Sequence, residues 1–260
     1  MDLREVPRGR FERHPWEIAR ARFFSELLVE RMAELRKPLT ILDVGAGDGY
    51  LARTALTTLG SASRAVCFDP NYGKEALGRG RNPQHGLEFT RELPEQRFDV
   101  LLLLDVIEHV ADARAFVADL VGRHLAPGGC VIVSVPAYLV LFTAHDIALG
   151  HHRRYRPGEL RDVLEAAGLR IERAGGLFHS LLAVRAVEKV MELVRGRRSV
   201  PQPEQTTAVA ETDAGAWQAG QHVTRIVAQA LALDTWLSKR LARARVQLPG
   251  LSTWAIGIER

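Results

Sequence analysis

The run Leu42-Asp43-Val44-Gly45-Ala46-Gly47-Asp48-Gly49-Tyr50-Leu51 spaces its glycines two apart behind a carboxylate, between an apolar strand-like segment and a helical one. Glycines at such a turn let the backbone bend sharply and approach a ligand, and the free N–H groups opening the next helix favour a carboxylate or phosphate. The pattern is DxGxGxG. A dinucleotide fingerprint needs GxGxxG, and Tyr50 stands where its third glycine belongs, which counts against an NAD-dependent oxidoreductase. Asp69 ends Val66-Cys67-Phe68-Asp69-Pro70, about 20 residues after the loop, where a carboxylate can accept both ribose hydroxyls. The other reading of Asp69 is a turn-initiating Asp before Pro.

A second concentration of reactive side chains runs from Thr143 to Pro157 and contains His145, Asp146, His151, His152, Arg153, Arg154 and Tyr155. A histidine titrates near neutrality and can take a proton from a hydroxyl, so His145, His151 and His152 are candidate general bases. The structural alternative is that Asp146 pairs with the arginines to brace a loop, and Arg153, Arg154 and Tyr155 are read that way. His109, at the start of a helix, reads as a packing and capping group.

Alternating strand and helix must position these residues. Strand patterns fall at Thr40 to Val44, Arg64 to Phe68, Leu87 to Phe89, Phe98 to Asp105 and Cys130 to Val135, with helical patterns between them, as in a parallel sheet wound by crossover helices. Phe98 to Leu104 and Val131 to Val135 are almost continuously apolar, as strands buried on both faces are. A helix follows His14-Pro15-Trp16 and ends at Pro38. Another spans Ala113 to Leu125 and stops at Pro127-Gly128-Gly129, and a third runs from Pro157 to Gly168. After a strand at Leu169 to Phe178, helical stretches at Leu182 to Val194 and Trp217 to Val246 flank a polar loop, Ser199 to Gly215, and Thr253 to Ile258 forms a final strand. In the last helix Ile226, Ala230, Leu233, Leu237 and Leu241 form the stripe expected to be buried, with Lys239, Arg240, Arg243 and Arg245 leaving a basic end.

The acidic residue before GxGxG and the order of elements from Thr40 to Val135 resemble the class I S-adenosylmethionine-dependent methyltransferases. The resemblance covers roughly residues 10–178 and the last strand. It implies an α/β fold, a Rossmann-like doubly wound seven-stranded sheet with a C-terminal helical insertion before the last strand. The expected organisation is an N-terminal cap helix (1–37), a cofactor-binding core (38–178), a helical insertion acting as lid or dimer contact (179–248) and the final core strand (249–260). By resemblance, Asp43, Gly45 and Gly47 line the methionine end of S-adenosyl-L-methionine, and Asp105-Val106-Ile107-Glu108-His109 closes over it. Glu92, beyond the third strand, is the candidate for the adenine end. Trp16 is large enough to lid the pocket, and Arg20 can fork onto the methionine carboxylate, although ordinary helix packing serves both equally well. The Asp146 to Tyr155 stretch resembles the D-x(3-4)-GHxRRY segment of the ubiquinone/menaquinone-type (type 11) small-molecule methyltransferases.

The 260 residues carry a net charge of +4, with 31 Arg against 4 Lys dispersed among 31 acids, which is not the concentrated footprint of a nucleic-acid binder. The chain lacks both the Asn/Asp-Pro-Pro-aromatic run of amino methylation and a Pro-Cys nucleophile, so a small-molecule acceptor is expected, with oxygen favoured. Cys67 and Cys130 lie in apolar runs and read as separate buried thiols, and no metal site is expected. No secretory signal or membrane-length apolar run is visible, so a cytoplasmic protein is expected, with membrane attachment disfavoured and a homodimer through the insertion left open. The alternative function is a non-catalytic binding or regulatory protein that keeps the cofactor fold.

Overall fold

A computed structural model of the chain describes residues 13–79, 86–194 and 220–259. Helix α1 (Pro15–Leu35) carries proline in its first turn, where an N–H has no partner to lose, and His14 Nδ1 accepts the Trp16 N–H at 3.3 Å. Then come β1 (Thr40–Val44), α2 (Tyr50–Leu59), β2 (Arg64–Phe68), α3 (Lys74–Arg79), β3 (Leu87–Thr90) and β4 (Phe98–Leu104). The second half contains α4 (Ala113–His124), β5 (Leu125–Pro136), α5 (Ala144–Leu149), α6 (Pro157–Ala166), β6 (Leu169–Leu177), α7 (His179–Val194), α8 (Gly220–Arg243) and β7 (Ser252–Glu259).

The strands form one seven-stranded sheet in the order β3-β2-β1-β4-β5-β7-β6. Strand β7 runs antiparallel to β5 and β6, and the remaining pairs are parallel. The chain moves outward from β1 to β3 and returns to β4 on the other side of β1. That reversal opens a crevice at the carboxyl ends of β1 and β4, the place where open α/β sheets bind ligands.

Burial on both faces explains the apolar runs. Val100 and Leu102 of β4 pack with Phe24, Leu27 and Leu28 of α1 and with Ala52 and Ala55 of α2. Leu101 and Leu103 point the other way, to Val117 and Leu120 of α4 and Leu160 and Leu164 of α6. Helix α1 is therefore part of the core as well as a neighbour of the crevice. Cys67 and Cys130 are buried free thiols.

Three sequence expectations change. Strand β5 begins at Leu125, so Pro127-Gly128-Gly129 lies inside it; the pairing with β4 jumps from Phe98–Leu125 to Val100–Cys130 around an irregularity. A Cβ on Gly129 would stand 2.9 Å from the Asp99 carbonyl, so the glycine permits this close passage. The connector after β5 contains a helix, α5, capped reciprocally by Thr143 and Asp146.

The third change concerns α8. Ile226 and Leu233 of the expected buried stripe are 66% and 71% exposed, and Leu237 is exposed as well. Among the described residues of α8 the buried side chains are Thr224, Leu231, Thr235, Ser238 and Ala242. Ser238 tolerates burial because its hydroxyl donates to the Gly176 carbonyl and accepts from Trp254 Nε1 at 3.1 Å. The basic end is not simply solvated. Lys239 pairs with Glu26 and Arg243 with Glu30 on α1, Arg173 joins Glu30 at 2.6 Å, and Arg240 lies over the Trp236 ring. The Ser199 to Gly215 loop and Trp217 lie outside the described residues. Among the described residues, no helix is long and apolar enough to cross a membrane.

Candidate active site

The glycine loop leaves β1 at the crevice. Gly45, Gly47 and Gly49 all have positive φ, 66°, 56° and 70°, which accounts for glycine at every second position. A Cβ on Gly45 would come within 2.9 Å of Val106 Cγ2, so the loop touches the segment after β4. A Cβ on Gly49 would meet the Phe89 ring at 2.6 Å, so that glycine serves packing. The Gly45 and Ala46 N–H groups donate to the Phe68 carbonyl at 2.8 and 3.1 Å, tying the loop to the end of β2. Asp43 is buried beneath it, and burial, only partly countered by the Arg20 charge, pushes its carboxyl up to about 7.

Helix α1 covers the loop from one side. Arg20 pairs with Asp105, the residue after β4, which holds a left-handed φ of 59°. Arg20 Nη2 is buried without a hydrogen-bond partner among the described residues, an unusual condition for a guanidinium donor. Arg13 pairs with Asp48 and stacks over the Tyr50 ring at 3.9 Å. Trp16 is half-buried, its ring 5.8 Å from the Arg20 guanidinium. Asp69 is 8% exposed, and its Oδ1 accepts the Asn71 N–H at 2.9 Å. The turn-initiating role is thus realised, at the carboxyl end of β2. Glu92 is exposed on the loop beyond β3.

On the other side of the crevice, the segment after β5 folds around Asp146. This fully buried carboxylate accepts five hydrogen bonds, from the Thr143 N–H and hydroxyl, from His151 Nδ1 and from Nε and Nη2 of Arg154. Burial alone would raise its pKa, but the bonds from His151 and Arg154 outweigh it and hold the group well below the usual carboxylate range. Tyr155 Oη donates to the Ile107 carbonyl at 3.1 Å and the His152 N–H to the Glu108 carbonyl at 2.7 Å, docking this segment onto the turn after β4. The His109 and His151 rings meet edge to face, 4.6 Å between centroids.

The structure therefore brings His151 into the site, leaves the His152 side chain exposed, and the His145 side chain lies outside the described residues. Arg154 braces the loop as the sequence suggested. Glu108 was not singled out by sequence reasoning, yet it is fully buried, neither carboxylate oxygen has a hydrogen-bond partner among the described residues, and burial, reinforced by the Asp105 charge, drives its pKa well up. Among the described residues Glu108, His109 and His151 each offer an atom within 4.8 Å of the others, a spacing at which three ligand atoms can meet one cation. The available signal was two acids and a histidine within the five residues after β4.

A methyltransferase-domain family profile matches residues 16–174, more than half of the chain. The chain belongs to the S-adenosylmethionine-dependent methyltransferase family. It is 32% identical over 160 residues to a protein of Mycolicibacterium smegmatis described as an S-adenosylmethionine-dependent methyltransferase, spanning 59% of this chain and 61% of that one. It is 30% identical over 165 residues to a ubiquinone biosynthesis O-methyltransferase of Sinorhizobium fredii, spanning 56% and 66%. The match thus covers less than two thirds of either relative. A crystal structure described as a sarcosine dimethylglycine methyltransferase from Galdieria sulphuraria superposes with a TM-score of 0.51 at 15% identity, over 91% of this chain and 85% of that one, a likeness of fold.

The crevice has polar groups that would suit S-adenosylmethionine. The orphaned Arg20 Nη2 would receive the methionine carboxylate, buried Asp43 the methionine ammonium and Asp69 the ribose hydroxyls. A pH dependence follows. Free Asp43 binds its proton up to about pH 7, whereas an adjacent ammonium favours the carboxylate, so cofactor binding releases a proton below that value. Affinity is expected to rise towards pH 7, by up to roughly tenfold per unit, and then level. Calorimetry in buffers of different ionisation enthalpy reads both effects. A constant affinity from about pH 5.5 to 7 removes Asp43 from the ammonium site.

Proposed function

We propose that this methyltransferase transfers the methyl group of S-adenosylmethionine to a hydroxyl oxygen of a small molecule. The observation that carries the choice of oxygen is the His151–Asp146 pair, a ring nitrogen 2.9 Å from a buried, ionised carboxylate at the edge of the cofactor crevice. A hydroxyl must lose its proton as it is methylated, and a held histidine is suited to receive it. The similarity to ubiquinone biosynthesis O-methyltransferases supports the same reading.

The cofactor supplies an activated methyl on a sulfonium. The protein's part is placement and exclusion of water, worth more in such a displacement than any single contact. Arg20 and Asp43 anchor the methionine end, Asp69 the ribose, and Glu92 is assigned to the adenine end. Trp16 and the start of α1 cover the pocket, while the segment after β5 presents the histidine from the acceptor side.

The test is incubation of the full chain with deuteromethyl-labelled S-adenosylmethionine and panels of phenols, sugars and carboxylic acids, read by mass spectrometry. Label on oxygen, with stoichiometric S-adenosylhomocysteine, is the expected outcome. Label confined to nitrogen or carbon excludes the oxygen reading, and tight cofactor binding without turnover on any panel favours the regulatory alternative.

A further inference from the structure

The Asp146 carboxylate accepts from Thr143 and from Nε and Nη2 of Arg154 without any help from His151. Bracing the loop accordingly needs no histidine ring. Yet His151 lies with its side chain 8% exposed and Nδ1 2.9 Å from Asp146 Oδ1. An ionised carboxylate has no proton to give, so the hydrogen in that contact belongs to Nδ1. Nε2 is then the nitrogen that carries the lone pair. The ring meets Glu108 and His109, on the turn that starts with Asp105, and Asp105 is the ion-pair partner of Arg20. The held ring thus stands on the cofactor side of its own loop. Among the described residues His152 has no such support, since its side chain is exposed and its backbone N–H is what ties it down.

We infer that Asp146 is a positioning residue: it fixes His151 as the Nδ1–H tautomer, so that Nε2 is the atom that takes the proton from the acceptor hydroxyl. The inference rests on the oxygen-acceptor reading. As the acceptor oxygen gains the methyl group, the sulfur–carbon bond breaks towards sulfur and the O–H proton passes to Nε2. The positive charge that leaves the sulfonium reappears on the imidazolium, spread over a ring whose other N–H points at an anion. Asp146 keeps its charge throughout, because its oxygens are already committed to four other hydrogen bonds. Thr143 and Arg154 have a role here as well: they hold the carboxylate that holds the ring.

The experiment begins without any acceptor. Long-range ¹⁵N–¹H spectra of the full chain, with His151 assigned by its disappearance in His151→Gln, read which nitrogen of the neutral ring bears the proton. The expected result is a predominant Nδ1–H tautomer in the wild type and a shift towards Nε2–H in Asp146→Asn. With an acceptor found in the labelled-methyl screen, Asp146→Asn and His151→Gln should each lower kcat on the order of 10²-fold or more, with cofactor Kd unchanged. A wild-type ring carrying its proton on Nε2 overturns the inference, whatever the turnover. So does full turnover in Asp146→Asn with the tautomer moved, and both results leave oxygen methylation standing. If Asp146→Asn does not fold, the wild-type tautomer and the His151→Gln kinetics decide the matter by the same criteria. Absence of any oxygen-methylated product sinks the underlying reading and this inference together.

Discussion

Asp69→Ala is expected to weaken S-adenosylmethionine binding by about 2–4 kcal/mol, roughly 30- to 1,000-fold. Two hydrogen bonds from ribose hydroxyls to a charged acceptor are worth about 1.5–3 kcal/mol each, less what water restores. Asp69 is buried at the carboxyl end of β2, so little solvent competes for it, and the loop immediately beside it is fixed by the Gly45 and Ala46 bonds to Phe68. The substitution also removes the acceptor of the Asn71 N–H. Asp69→Asn separates the two roles, since it retains an oxygen for that turn while losing the charge and one acceptor, and an intermediate loss is expected. Titration calorimetry measures the affinity, and circular dichroism establishes that the variants fold. An Asp69→Ala affinity within twofold of wild type takes Asp69 out of the ribose site.

Strands β1 and β2 were legible to the residue because each is a short apolar run closed by turn residues, and both faces are buried. Helix α8 was legible as a helix but not in its orientation. A repeat at three and four residues identifies an amphipathic helix; it does not say which stripe meets the protein when a second one is available. Here the chosen side is lined by Thr235 and Ser238, polar residues whose burial is offset by hydrogen bonds to the backbone, Ser238 also joining Trp254. The ion pairs from Lys239 and Arg243 to α1 favour the same side. Those partners lie more than 200 residues away in sequence, beyond the reach of a local pattern.

The site divides in the same way. The glycine loop is a local object, with three positive φ angles demanded by one turn, and its spacing carried the family resemblance without tertiary information. The choice among three histidines depended instead on how the segment after β5 docks. Tyr155 reaches across to Ile107, 48 positions earlier, and that contact places the His151 ring against Glu108 and His109. Asp146 and His151 are close in sequence, but α5 intervenes, and its Gly150 cap turns the chain so that the ring returns to the carboxylate at the helix start. Without the helix, the acid reads equally well as a partner for the arginines alone.

Gly49→Val is expected to destabilise the fold by about 2–5 kcal/mol, a large share of the roughly 5–15 kcal/mol that holds a domain together. Gly49 caps α2 at a φ of 70°, and a β-branched side chain in that region costs about 1–2 kcal/mol from the clash of Cβ with the following carbonyl. The new Cβ would also stand 2.6 and 2.7 Å from carbons of the Phe89 ring and 3.5 Å from Cys67 Sγ. Phe89 cannot easily yield, since it packs edge-on against the buried Tyr72 at 5.3 Å, and overpacking of this kind costs about 1–3 kcal/mol. Urea unfolding should show a lower midpoint. S-adenosylmethionine should raise that midpoint in variant and wild type alike, because it binds the folded state. Gly47 is also left-handed and buried, and its substitution should act on cofactor affinity, where the loop backbone meets the ligand. A Gly49→Val protein with the wild-type urea midpoint would show that the loop does not pack on β3 in this way.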